Sequence, residues 1–327
     1  MKKVSILVPE SAVMEAVADP RYLFTAANQF LQSAGKPPLF EVELVGQQRV
    51  VLLHDGIFAV HTDKVLEEVQ QTDLIVIPAL FGDMQRAVAK NQESIPWIIK
   101  HHHRGAEVAS LCVGAFLFAS TGLLKGKKCS THWAFYNEFR ETFPDVEVAD
   151  GSIITDEQGL YSSGGANSYW NLLLYLLEKY TDRDTAILAA KYFAIDIDRN
   201  NQSAFAMFSG QKDHKDQEIL KAQKFIEVNY AEKISVDQLA DSVVVSRRSF
   251  ERRFKQATGN TVVEYLQRVK IEAAKRSFES SRKNINEVMY DVGYTDTKAF
   301  RMVFKKITGL TPIEYRNKYN KETVLVD

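Results

Sequence analysis

The sequence predicts two domains of different class: an α/β domain with a mostly parallel sheet and helices on both faces, then an all-α domain. Three observations predict it. Short runs rich in Val, Ile and Leu alternate with helical patterns up to about residue 195, no strand-like run follows Glu218 until the tail "TVLVD", and the C-terminal third contains an internal repeat. A chain of 327 residues is long enough for two cores.

Taken in order, the strand-like runs are "KVSILVP" (3–9), "FEVELVG" (40–46), "DLIVIPAL" (73–80) and "EVASL" (107–111). Helical patterns such as "PRYLFTAANQFLQSAG" and "SIPWIIKHHHRG" lie between them. This alternation predicts a flavodoxin-like sheet, in which ligands bind beyond the carboxyl ends of the strands. "GSIITDEQGLYSSGG" (151–165) reads as a hairpin or a pair of short strands, and the helices "NSYWNLLLYLLEKY" and "DRDTAILAAKYFAI" close the domain near residue 195. The polar stretch 196–217 reads as a linker, and an all-helical domain occupies 218–320.

Composition narrows the functional class. No apolar run is long enough to span a bilayer, and Pro9, Glu10 and Glu15 interrupt the N-terminal apolar run too early for a signal peptide. Two cysteines, Cys112 and Cys129, in no metal-like spacing predict a reducing compartment, hence a cytoplasmic protein without a disulfide framework. The net charge of −1 conceals an asymmetry. Residues 212–327 carry 23 Lys and Arg against 17 Asp and Glu, a net of +6, and the remainder carries a net of −7. A basic third joined to an acidic body fits a nucleic-acid reader attached to something else. "HHH" (101–103) reads as a solvated helix end, because consecutive helical residues point in different directions. There is no phosphate-binding loop or dinucleotide fingerprint, so neither metal nor cofactor is expected; "SSGG" (162–165) reads as a tight turn.

"VASLCVGAFLFASTGLLKG" (108–126) places Cys112 where a strand turns into a helix, with Gly114 in the turn. Such a turn lifts a side chain out of the sheet towards backbone N–H groups that favour a thiolate. A buried structural cysteine is the competing reading.

The repeat pairs "SVDQLADSVVVSRRSFERRFKQATGNTVVEYL" (235–266) with "NINEVMYDVGYTDTKAFRMVFKKITGLTPIEYR" (284–316). Each copy has a short amphipathic helix, a turn, and a second helix with Phe spaced by four: Phe250 with Phe254, Phe300 with Phe304. Each then has Thr-Gly, at Gly259 or Gly309, a further Thr, and Glu-Tyr. The Phe pairs mark a buried face, leaving the polar face free for the major groove. "RRSFERRFK" puts four arginines and a lysine on one helix, and "YLQRVKIEAAKRSF" reads as a long connecting helix.

Two helix-turn-helix units in this arrangement resemble the DNA-binding domain of AraC-type bacterial regulators. The resemblance implies a double-stranded DNA operator read by two recognition helices, through Arg247, Arg248, Glu251 and Arg252 in the first unit and Thr297, Lys298 and Arg301 in the second. Met302 departs from the family, which usually has Arg there. With that domain identified, "VASLCVGAFLFASTGLLKGKKCSTHW" resembles the nucleophile elbow of PfpI-like domains in the class I glutamine amidotransferase-like superfamily. Fusion of the two is the architecture of GlxA-like regulators. The resemblance makes Glu15 the acidic residue near the elbow, Gly82 and Asp83 the source of N–H groups near the thiol, and His132 a histidine bordering the pocket. PfpI-like peptidases carry His directly after the cysteine as base; this chain has Val113.

The reading that follows is a DNA-binding transcription regulator rather than an enzyme. Glu15, Gly82, Asp83, Cys112, Val113 and His132 line a pocket for a small metabolite, such as an amino acid or an amine. The resemblance further implies a homodimer, and RNA polymerase as partner if the protein activates. A cysteine hydrolase or amidase tethered to DNA, and a thiol-based redox sensor, are the alternatives.

Overall fold

The four apolar runs form strands of one sheet. In a computed structural model describing residues 1–197, 202–203, 205–212 and 214–320, the chain divides into two compact units, Met1–Gln202 and Ser203–Asp327. Part of the polar stretch and the tail "TVLVD" lie outside the described residues.

The first unit contains eleven strands among its described residues: β1 (Lys2–Leu7), β2 (Phe40–Gly46), β3 (Val50–Leu53), β4 (Phe58–His61), β5 (Lys64–Val65), β6 (Leu74–Ile77), β7 (Glu107–Ser110), β8 (Lys128–Cys129), β9 (Glu147–Val148), β10 (Ile154–Asp156) and β11 (Leu160–Ser163). Seven of them form a sheet in the order β10-β11-β7-β6-β1-β2-β5, parallel throughout except for β10. The "SIITDEQGLYSS" segment is therefore the expected hairpin. Every residue of β6 and β11 is buried, as central parallel strands covered on both faces require.

The helices of this unit are α1 (Met14–Ser33), α2 (Met84–Lys90), α3 (Ser94–His103), α4 (Ala115–Ala119), α5 (Tyr136–Thr142), α6 (Tyr169–Tyr180) and α7 (Arg183–Tyr192). Helix α1 starts six residues before Pro20, where the sequence pattern begins, so that Glu15 lies in its first turn. Chain order reverses between β1 and β6, and the loops leaving these strands are tied together there. Ala12 bridges Leu80, and the Val13 N–H donates to the Ala79 carbonyl at 2.8 Å. This reversal is where doubly wound sheets open a crevice.

The second unit is helical in its described residues: α8 (Gln217–Asn229), α9 (Val236–Ser242), α10 (Arg247–Thr258), α11 (Val262–Ser280), α12 (Ile285–Asp291), α13 (Thr297–Thr308) and α14 (Pro312–Tyr319). It has two small cores, and α11 serves both: Val262, Tyr265 and Val269 enter the first, Ile271, Ala274 and Phe278 the second. The repeated Thr-Gly and Thr…Glu-Tyr elements now have physical causes. Gly259 (φ 68°) and Gly309 (φ 76°) end α10 and α13 in the left-handed conformation that glycine tolerates. Thr261 with Glu264, and Thr311 with Glu314, form capping boxes that start the next helices. Tyr265 and Tyr315 are buried, donating their hydroxyls to Glu227 and Glu279 at 2.6 and 2.5 Å.

Candidate ligand pocket and nucleic-acid interface

Cys112 stands at the carboxyl end of β7 with φ 55°, in the left-handed region that a side chain occupies only under external constraint. The constraint is visible. Its N–H donates to Ser163 Oγ at 3.2 Å, and its carbonyl accepts from Thr131 Oγ1 at 3.2 Å. Backbone N–H groups of Val113 and Ala166 face the sulfur. The elbow expected from sequence is therefore formed, and "SSGG" leads directly into the turn that carries Ala166.

The expected thiolate is not supported. Cys112 is 6 % exposed, and burial pushes its thiol pKa up despite the two N–H groups. The helix that follows, α4, is only five residues long, and desolvation outweighs what its first turn supplies. Val113 is 5 % exposed and offers no base. Among the described residues no hydrogen bond joins Cys112 to His132. The His132 ring lies over the backbone of Gly165, where an added Cβ would fall 2.2 Å from its Cδ2. Its Nδ1 accepts from the Ala134 N–H at 3.1 Å, and burial lowers its pKa. The neutral ring then carries its proton on Nε2, making it a hydrogen-bond donor instead of a base for the thiol.

The acidic side of the site differs from expectation. Glu15 is exposed, while Asp19, one turn later on α1, is half-buried and accepts from the Tyr169 hydroxyl at 2.7 Å and from Trp170. Burial raises the Asp19 pKa nevertheless. Burial and the hydrogen bond to Asp19 push the Tyr169 hydroxyl well above its ordinary range, with further contributions from Glu15 and Cys112. Tyr169 thus lies within electrostatic reach of Glu15, Asp19 and Cys112, and bonds to Asp19 directly. Gly82 (φ 87°) turns the chain after β6, and Asp83 caps α2 by accepting from the Arg86 N–H at 2.8 Å. Among the described residues, no hydrogen bond joins either to the thiol, and the backbone packed on the elbow belongs to Ile77 and Pro78.

Sequence reasoning missed Asp19, Tyr169 and Gln202. Asp19 follows Glu15 by four, a helical spacing that could have found it. Gln202 falls in the polar stretch 196–217, yet it is 1 % exposed. Its amide donates to the Thr131 carbonyl (2.9 Å), the Ser152 carbonyl (3.1 Å) and Tyr136 Oη (2.8 Å), and accepts from the Gly165 N–H at 2.9 Å. It packs against Gly164, where an added Cβ would fall 2.5 Å from its Nε2, and no periodicity announces it.

In the second unit, α10 and α13 follow their shorter helices α9 and α12 as recognition helices do. Arg248, Glu251 and Arg252 are exposed, as are Lys298 and Arg301, while Thr297 is half-buried. Arg247 is exposed but held by Asp237 (3.1 Å) and Glu251 (3.3 Å). Not all four arginines are available: Arg253 makes a bidentate ion pair with Asp216, at 2.8 and 2.6 Å.

Comparison with known proteins agrees with both units. Residues 2–179 match the profile of the DJ-1/PfpI family, and residues 239–318 that of a helix-turn-helix domain. The HTH-type transcriptional regulator GbdR of Pseudomonas aeruginosa is 26% identical over 272 residues, 82% of this chain and 72% of its own length. The xylose operon regulatory protein of Escherichia coli is 36% identical over 110 residues, 34% of this chain and 28% of its own. A solved ThiJ/PfpI family protein from Pseudomonas syringae superposes with a TM-score of 0.50 at 14% identity, covering 74% of this chain and 90% of that one, which speaks to the fold alone. Among the described residues no helix is long and apolar enough to cross a membrane.

Proposed function

This chain belongs to the DJ-1/PfpI family and carries a helix-turn-helix domain beyond it, and from that premise we propose that it is a sequence-specific transcription regulator governed by a small metabolite. The observation that carries the reading is the pair of matched recognition helices with exposed cations, Arg248 and Arg252 on α10, Lys298 and Arg301 on α13. A double-stranded operator is contacted by these residues with Arg247, Glu251 and Thr297.

The pocket around Cys112, Val113 and His132, approached past Glu15, Gly82 and Asp83, holds the effector. The carboxylates of Glu15 and Asp19 beside Tyr169 suit a cationic amine or the ammonium of an amino acid. The pocket binds and does not turn over. Its thiol is neutral, Val113 stands where the base would be, and His132 Nε2 donates, so neither of these two positions takes the thiol proton that acyl transfer must move. The protein acts as a homodimer in the cytoplasm, and the effector shifts operator affinity by binding one dimer arrangement better than another.

The test uses the full chain, wild type and Cys112→Ala, in thermal shift and operator-binding assays against amino acids, amines and small carbonyls. A compound that raises the unfolding midpoint and changes DNA affinity in both proteins supports the reading. A hit lost with the thiol and accompanied by product identifies an enzyme instead.

A further inference from the structure

The two recognition helices present equivalent solvent faces that differ at two places, a charge reversal at Glu251 and Arg301 and the loss of a cation at Met302. Aligning Phe250 with Phe300, Phe254 with Phe304 and Gly259 with Gly309 pairs Arg248 with Lys298, Glu251 with Arg301, Arg252 with Met302 and Lys255 with Lys305. These positions recur at helical spacing and all are exposed. The apolar residues α13 needs for packing, Phe300, Val303 and Phe304, lie on its opposite face in the second core. Met302 belongs to no core and is 64 % exposed. A thioether in the middle of a stripe of Lys298, Arg301, Lys305 and Lys306 contributes nothing to folding. The cations around it make the face complementary to phosphate.

We propose that Met302 is a base-reading residue that contacts the C5-methyl group of thymine in the major groove, so that the operator is read asymmetrically. The inference rests on the DNA-binding function proposed above. Arg252 on α10 has donors that fit guanine O6 and N7. Met302 has no donor and cannot form that pair, whereas its sulfur and methyl group pack against an apolar base edge, and the thymine methyl is the one such edge in the major groove. Lys298 and Lys305, one turn to either side, hold backbone phosphates and set the depth at which Met302 meets the bases. The segment facing α13 therefore carries a required thymine where the segment facing α10 carries a guanine.

The experiment selects sites for the full-length chain from random double-stranded DNA, then resynthesises the best site with deoxyuridine replacing each thymine in turn. Binding is measured for wild type, Met302→Ala and Met302→Arg. At one or two thymines, loss of the methyl weakens wild-type binding about fourfold, the worth of one buried methyl group. Met302→Ala abolishes that sensitivity, and Met302→Arg shifts the selected base at that place to guanine. Equal wild-type binding to every deoxyuridine site, or unchanged sensitivity in Met302→Ala, overturns the proposal and leaves DNA reading intact. Failure of wild type to enrich any sequence overturns the DNA-binding function, and the role of Met302 with it.

Discussion

Gly114 faces the backbone of Pro78 so closely that a Cβ built on it would fall 2.4 Å from the Pro78 carbonyl oxygen and 2.8 Å from that of Ile77. The elbow bearing Cys112 is pressed onto the end of β6, and the Leu111 N–H closes the contact by donating to the Ile77 carbonyl at 2.9 Å. Gly114→Ala forces two backbones apart in a packed core, at about 1–3 kcal/mol. The unfolding midpoint should fall by about 3–10 °C. Calorimetry of the two proteins checks this, and an unchanged midpoint would show that the elbow is looser than described.

Burial raises both thiols, Cys112 upward and Cys129 up to about 12. Below the ordinary thiol range the cysteines are neutral in folded and unfolded chains and cost nothing. As pH rises past it the unfolded chain ionises first, so the folded state binds more protons and loses stability until its own thiols titrate. Stability should therefore decline from about pH 9 towards pH 12, with a shallower decline in Cys129→Ser than in wild type. Denaturant titrations across that range measure the difference, which separates the thiol from the tyrosines that titrate nearby. Iodoacetamide at pH 8 should label neither cysteine in the folded protein and both in urea; prompt native labelling of Cys112 would contradict the neutral thiol.

The strands and helices were legible because central parallel strands must be apolar throughout. "DLIVIPAL" and "EVASL" announce themselves for that reason, and the repeat was legible because caps and Phe pairs recur at fixed spacing. The hairpin of β3 and β4, with Leu52, Ile57 and Phe58 exposed, gave no such signal, since its pattern does not follow from covering a core. The candidate site was legible only in its cysteine turn. Asp19, Tyr169 and Gln202 are brought to it by tertiary contacts up to 150 residues apart, which no local periodicity encodes.

The arginines of α10 should divide into two functions. Arg253 is committed to Asp216, whose carboxyl it holds below the ordinary range, and Asp216 also accepts from the Ile219 N–H at the start of α8. Arg253→Ala should lower stability while leaving the salt dependence of DNA binding unchanged. Arg248→Ala should weaken binding by about 1–3 kcal/mol, or reduce the salt slope by about 1 if its partner is phosphate. Affinity titrations at several salt concentrations separate them. Equal effects of both substitutions in fully folded proteins would mean that the ion pair opens on DNA.

The repeat also locates a stored strain. The turn after α12 passes through Gly293 at φ 74°, where an added Cβ would fall 2.0 Å from the Ala231 carbonyl oxygen. The corresponding residue after α9 is Val244, held at φ 54° and 91 % exposed. A β-branched residue in the left-handed region costs about 1–2 kcal/mol and gains nothing from packing at that exposure. Glycine removes the steric cost and restores unfolded-state freedom worth about 0.4–1 kcal/mol. Val244→Gly should therefore stabilise the helical unit by up to about 1 kcal/mol. Gly293→Val should disrupt it, because there the carbonyl blocks any side chain. Urea titration of the three proteins by circular dichroism gives the order. If Val244→Gly proves less stable than wild type, the left-handed valine does not carry the steric cost assigned to it, and the freedom that glycine adds to the unfolded chain decides the outcome.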